Sequence, residues 1–229
     1  WRMATNKNLM PDEYGMQFWF LFEHNGINPA YIDGVCISSV VPQITSRIEE
    51  ACEYYIKRPV LCVSHKLNIG MQLKIDNPAE LGNDRIVDIL AVKTLYGFPA
   101  CLIDFGTATT FNLLDRSGDY IGGAISAGIQ TSADALFIKT AQLPNISIQK
   151  PPHIIGKNTI HSMQSGLFFG YVSMIEGMVQ RFKTEIGEDM MTVATGGFAK
   201  VISGETKCIQ IVNSWLTLTG LRLFREKNQ

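Results

Sequence analysis

No apolar run in this chain approaches the roughly 18–20 residues that a membrane-spanning helix needs, so nothing in it reads as a bilayer segment. No block of like charge occurs either. The 20 Lys and Arg residues against 21 Asp and Glu leave a net charge of −1, and even Arg225-Glu226-Lys227 mixes signs. That excludes a broad basic footprint for nucleic acid. Cysteine is scarce: Cys36, Cys52, Cys62, Cys101 and Cys208 are scattered, with no C-x-x-C pair. An odd, unspaced set argues against a disulfide framework and for a reducing compartment. Cys36, Cys62 and Cys101 sit in apolar, strand-like runs and read as small buried hydrophobes. The four histidines (His24, His65, His153, His161) show no ligand spacing, and H-E-x-x-H, G-x-S-x-G and Walker A sequences are all missing. The opening Trp1-Arg2-Met3-Ala4-Thr5-Asn6 does not read as a signal peptide. It also lacks an initiator Met, as a fragment would.

The composition that remains, 46% hydrophobic and 18% charged over 229 residues, is that of a globular chain of one large or two small domains. Its most informative stretch is Ile103-Asp104-Phe105-Gly106-Thr107-Ala108-Thr109-Thr110. The apolar run Pro99–Ile103 delivers a carboxylate to a glycine turn, and three threonines follow. Such a turn suits a cation-bound phosphate: the acid holds the cation, Gly106 lets the backbone approach, and hydroxyls donate to phosphate oxygens. The same residues also fit a strand ending in an Asx turn before a Thr-rich strand. Asp104-Phe105-Gly106 is not the magnesium loop of a protein kinase, because no H-R-D loop or V-A-I-K strand accompanies it.

Periodicity predicts strands over Asp33–Val41, Pro59–Val63 and Leu67–Ile75, and helices over Gln43–Ile56 and Arg85–Tyr96. Thr109–Leu114 and Tyr120–Ala124 form a hairpin around Asp115-Arg116-Ser117-Gly118-Asp119. Helices follow over Thr131–Leu143 and, as one element or two, Thr159–Ile186. Met191–Thr195 is a strand and Leu216–Lys227 a final helix. Helices alternating with strands around one hairpin give an α/β fold with a mixed sheet, divided near Gly97-Phe98-Pro99 into residues 1–97 and 98–229.

Three further segments could carry chemistry. In Asp76-Asn77-Pro78-Ala79-Glu80-Leu81-Gly82-Asn83-Asp84-Arg85, Asp84 is either a helix-start acid or a general base beside an anion-binding Arg85. Ala194-Thr195-Gly196-Gly197 is either a plain strand-to-helix turn or a floor for a flat ring such as adenine. In Gly156-Lys157-Asn158-Thr159, Thr159 suits the N-cap of the next helix. Along that helix Gly166, Gly170 and Gly177 form a small-residue stripe, a packing seam open to a second subunit.

In their order along the chain, Asp76…Arg85, Asp104–Thr110, Gly122-Gly123-Ala124-Ile125…Gly128, Gly156…Thr159, Gln164-Ser165-Gly166 and Ala194–Gly197 closely resemble type III pantothenate kinase. The resemblance implies an actin-like (ribonuclease H-like) two-domain kinase that phosphorylates pantothenate with ATP, the first step of coenzyme A synthesis. It implies a monovalent cation, potassium or ammonium, magnesium with the nucleotide, and a cytoplasmic homodimer without nucleic-acid or membrane partners. Carried over by position, Asp84 is the proton acceptor, and Gly82, Asn83, Asp84, Arg85 and Thr159 bind pantothenate. Gly106, Thr107 and Gly196 bind ATP, and Asp104 is the cation ligand. Departures are visible. The family opens on an acid-x-Gly-Asn-Thr phosphate loop that this sequence does not contain, so residues 1–97 are expected to lack that first hairpin. A frequent tyrosine before Asp76 is Ile75, and a usual alanine is Asn83. Another small-molecule kinase of this fold, or a non-catalytic relative, is the rival reading.

Overall fold

The run Ala100–Phe105 becomes the central strand of a five-stranded sheet, flanked on both sides and buried except at the half-buried Asp104. A computed structural model describes residues 1–229, which fold as two compact units. The first unit comprises residues 1–70, 77–90 and 217–229, and the second comprises residues 71–76 and 91–216.

In the first unit, α1 (Pro11–His24) packs on α2 (Pro42–Ala51) through Tyr14, Ile44 and Ala51. The helix runs on from α2 as a π-turn, Cys52–Ile56. Gly15 is required inside α1 because a Cβ there would run into the Tyr55 ring, whose hydroxyl donates to Asp12 at 3.0 Å. Two short strands, β1 (Val35–Ile37) and β2 (Val60–Cys62), pair in parallel. The helix Leu216–Lys227 joins this unit by side-chain bonds. Arg225 donates to the Asp33 carbonyl at 2.7 Å, and Asn228 exchanges two bonds of 2.9 Å with the Asn68 backbone.

Helix α3 (Asn83–Tyr96) leads into the second unit. There β3 (Ala100–Phe105), β4 (Ala108–Leu114) and β5 (Tyr120–Ala127) form an antiparallel meander. After α4 (Ile129–Lys139) and α5 (Thr159–Ile186), β6 (Met191–Gly196) returns parallel to β3. The short α6 (Ala199–Ser203) then leads to β7 (Ile211–Val212), also parallel, giving the order β5-β4-β3-β6-β7. This is the mixed α/β sheet expected, in ribonuclease H-like order. One sheet face carries Cys101, Ile103, Phe105, Phe111 and Ala194, and α5 covers it with Phe168, Tyr171, Ile175 and Val179. These four recur at helical spacing, which is why α5 is one continuous 28-residue helix rather than two. Its end is set by Gly187 at φ 74°, the left-handed cap glycine adopts most easily.

Several expectations need correction. Leu67–Ile75 is not a strand: it makes one bridge, Leu73 to Tyr120, held by backbone bonds of 2.8 and 2.9 Å. Its weak alternation supplies too little apolar surface for a ladder, and Lys74 is drawn instead to Asp115 and Asp119 at 2.6 and 3.0 Å. The strand predicted over Asp33–Val41 shrinks to Val35–Ile37, because Pro42 already opens α2. Cys36 and Cys62 are only partly buried, whereas Cys101 is enclosed and burial pushes its thiol up to about 12. All five cysteines are free thiols. Helix α1 and strand β7 were not anticipated at all, and the helix expected after Gly196-Gly197 is the short α6.

Candidate active site

At the carboxyl ends of β3 and β6 the chain makes two turns side by side, the place where open α/β sheets bind ligands. The first is Gly106-Thr107. Gly106 donates its amide to the Ala108 carbonyl at 3.1 Å, so the turn is tight, and both residues are exposed. Its outer side is clamped by the start of α4. The Gly128 amide (3.0 Å) and the Thr131 hydroxyl (2.7 Å) both donate to the Thr107 carbonyl. A Cβ on Gly128 would overlap the carbonyls of Gly106 and Thr107, so only glycine admits this approach. With that carbonyl tied back, the Thr107 side chain is left on the exposed side of the turn.

The second turn is Gly196-Gly197. Gly196 has φ 92°, and a Cβ there would lie 2.6 Å from both Asp104 Oδ1 and the Phe105 carbonyl. The Gly197 amide donates to Phe105 at 3.1 Å, locking the two turns together. The missing Cβ at Gly196 is what leaves room for the Asp104 carboxylate there.

Asp104 is the middle member of a polar rung. The register pairs it with Thr110 on β4 and Thr195 on β6, so the three share one sheet face, opposite the face that α5 covers. Asn112, buried behind the rung, donates to the Thr110 hydroxyl at 3.1 Å. A carboxylate between two hydroxyls is a hard-oxygen donor set, the kind that suits a potassium-like or magnesium-like cation rather than zinc.

The Gly82–Arg85 segment lies in the first unit and folds as a helix entry. Asn77 caps a 3-10 turn, Pro78–Glu80, by accepting from the Ala79 amide at 3.2 Å. Asn83 opens α3, and its amide donates to the Ser39 carbonyl at 3.3 Å. Asp84 is an exposed first-turn acid whose Oδ1 accepts from the Arg85 amide at 2.8 Å. A Cβ on Gly82 would sit 2.6 Å from that same oxygen, so glycine keeps the carboxylate's approach open.

At the head of α5 the N-cap is Asn158, not Thr159: the Asn158 side chain accepts from the His161 amide at 2.8 Å. Thr159 is displaced to the first helical position, where its side chain is exposed and released from capping. Gly156 presses against the Ser162 backbone, and Gln164 donates to the Ser147 carbonyl at 3.1 Å, so the segment between α4 and α5, which carries Pro144, Pro151 and Pro152, is stitched to this helix end.

Asp104, Gly106, Thr107 and Gly196 thus meet in one place, Gly82–Arg85 form a contiguous entry in the other unit, and Thr159 stands at a third element. Thr131 was missed because α4, not local spacing, brings its hydroxyl to the turn, whereas strand register sets Thr110 and Thr195 beside Asp104.

The comparisons with known proteins agree on what this order of segments means. The type III pantothenate kinase family model matches residues 1–181. A type III pantothenate kinase of Halalkalibacterium halodurans is 44% identical over 228 residues, covering 100% of this chain and 90% of the relative. One from Roseiflexus castenholzii is 46% identical over 229 residues with the same coverage. Among solved structures, a conserved Baf-family transcriptional activator protein from Campylobacter jejuni superposes with TM-score 0.59 at 16% identity. That match covers 87% of this chain and 86% of the other, a likeness of fold. Matches of this extent settle the family: this chain belongs to the type III pantothenate kinases.

Proposed function

We propose that this chain transfers the terminal phosphate of ATP to the primary hydroxyl of pantothenate, opening coenzyme A synthesis. The observation that carries the reading is the full-length match to relatives of that name, together with the exposed, clamped turn that Asp104–Thr110 forms. Phosphoryl transfer asks little covalent chemistry of a protein; positioning and charge neutralisation dominate. Gly106, Thr107 and Gly196 are assigned to the nucleotide. Asp84 accepts the proton of the attacking hydroxyl, and Gly82, Asn83, Arg85 and Thr159 hold pantothenate.

Asp104, with Thr110 and Thr195 beside it, supplies oxygen donors for a monovalent cation, potassium or ammonium. Such a cation, and the magnesium that accompanies ATP, would offset negative charge on the phosphates. The exposed glycines Gly166 and Gly170 have open space where a Cβ would be, which supports packing of α5 against a second copy in a homodimer. No helix is long and apolar enough to cross a membrane. The free, scattered cysteines support a reducing, cytoplasmic setting.

The test is ATP turnover with pantothenate set against a panel of sugars and acetate. Turnover with a sugar and none with pantothenate would sink the substrate assignment. Asp104→Ala is expected to abolish the rise in rate on titrating potassium chloride into a sodium buffer. A variant that still responds to potassium as the unmodified protein does would remove Asp104 from the cation site.

A further inference from the structure

One buried tyrosine touches every flank of the Gly106-Thr107 turn without belonging to it. Tyr171, on the inward face of α5, is 7% exposed. Its ring packs against Phe105, the residue before the turn, with centroids 6.3 Å apart. Its hydroxyl bonds the hydroxyl of Thr109, which follows the turn in β4. The same hydroxyl donates to the Ala127 carbonyl at 3.3 Å. Ala127 and Ile129 bracket Gly128, whose amide holds the Thr107 carbonyl.

A phenolic oxygen has one proton to give and two acceptor positions. Donation to Ala127 leaves an acceptor position for the Thr109 O–H, so the hydroxyl is partnered as both donor and acceptor. Burial holds the phenol above its usual range, so it stays protonated and keeps its donor. A hydroxyl is costly in an apolar cluster where Phe168 and Ile175 are neighbours, and phenylalanine would pack as well. The oxygen is therefore explained by what it ties together: the start of β4 and the end of β5, where the chain turns into Gly128 and α4.

We propose that Tyr171 is a positioning residue for the nucleotide-phosphate turn, fixing Gly106 and Thr107 through Thr109 and Gly128; this rests on assigning that turn to ATP. It touches neither substrate. Losing its hydroxyl loosens the turn on both flanks and leaves the pantothenate residues as they were.

The experiment compares Tyr171→Phe, Thr109→Val, Thr109→Ser and the Tyr171→Phe/Thr109→Val double variant by steady-state kinetics and by calorimetric titration with a non-hydrolysable ATP analogue. Tyr171→Phe is expected to raise the KM for ATP about tenfold and to hold the KM for pantothenate within about twofold. Thr109→Val should do the same, Thr109→Ser should restore the unmodified value, and the double variant should be no worse than either single one. Equal movement of both KM values would mean a merely structural role and overturn the proposal, as would an unchanged KM for ATP or fully additive losses. Should Tyr171→Phe fold poorly, the Val-against-Ser contrast at Thr109 decides alone. An unmodified protein without affinity for the analogue would defeat the ATP assignment itself. Equal binding by the unmodified protein and Tyr171→Phe would defeat only the role of Tyr171.

Discussion

Replacing Asp84 with Asn is expected to lower kcat by about 10²–10⁴-fold, the usual contribution of a positioned general base. That corresponds to roughly 3–5 kcal/mol of transition-state stabilisation. The substitution separates chemistry from structure cleanly at this position. Asp84 is exposed in the first turn of α3, and its Oδ1 accepts from the Arg85 amide at 2.8 Å. The Asn carbonyl oxygen can accept the same bond, so the helix entry keeps its geometry. The charge at the helix start is lost, at a cost of about 0.3–1 kcal/mol in stability. A large fall in kcat with a small fall in Tm is therefore the signature of a base. The fall should persist at saturating pantothenate, because an Asn of the same shape does not empty the substrate site. If kcat stays within a factor of a few, Asp84 is a helix-start acid and no more.

The balance between these two readings of Asp84 shows where local sequence stops. Gly82-Asn83-Asp84 before an apolar stripe announces a helix entry, and the helix duly begins at Asn83. Whether the acid also serves chemistry depends on what stands opposite it, which no window of ten residues contains. The meander was legible for the opposite reason. Asp115-Arg116-Ser117-Gly118-Asp119 closes on itself: the Asp115 side chain accepts from the Ser117 and Asp119 amides at 2.8 and 3.0 Å, and Gly118 takes φ 72°. Such a turn states its own conformation. The span of α5 was legible as helix, though not whether it was one element or two; it is one because its apolar positions keep one period throughout.

Helix α1 was illegible because its apolar residues do not form a stripe. Phe18-Trp19-Phe20-Leu21-Phe22 is a continuous run with no 3.6-residue period, and the helix leaves Met16, Trp19 and Phe20 well exposed. Its only clear signals were Pro11 at the first position and Glu13, whose carboxylate accepts from the Met10 amide at 2.8 Å. The site divides in the same way. Asp104, Gly106 and Gly196 announce themselves by type and spacing. Thr195 and Thr110 reach Asp104 only through strand register, and Tyr171 reaches the turn only through helix packing. Contacts made across the sheet leave no trace in neighbouring residues.

Gly128 carries the second large expected effect. Its φ of −66° is ordinary, so alanine there suffers no backbone strain, and the whole effect of Gly128→Ala is steric. The new methyl group meets the carbonyl oxygens of Gly106 and Thr107, which are backbone and cannot swing aside as a side chain would. Either the turn moves outward or the first turn of α4 does, and both lengthen the Gly128-to-Thr107 bond of 3.0 Å. Overpacking of this kind costs about 1–3 kcal/mol of stability. The catalytic loss is larger in proportion, since a displacement of about 1 Å in a positioning element can cost about 10²-fold in rate. The expected result is a fall of about that size in kcat/KM for ATP. Gly204→Ala is the matched control: it adds the same methyl group at the end of α6, where the nearest atoms are at 3.6 and 3.8 Å, an ordinary packing distance. If Gly128→Ala loses no more activity than Gly204→Ala, the clamp on Thr107 is not what holds the nucleotide, and the assignment of Gly106 and Thr107 to ATP loses its structural basis.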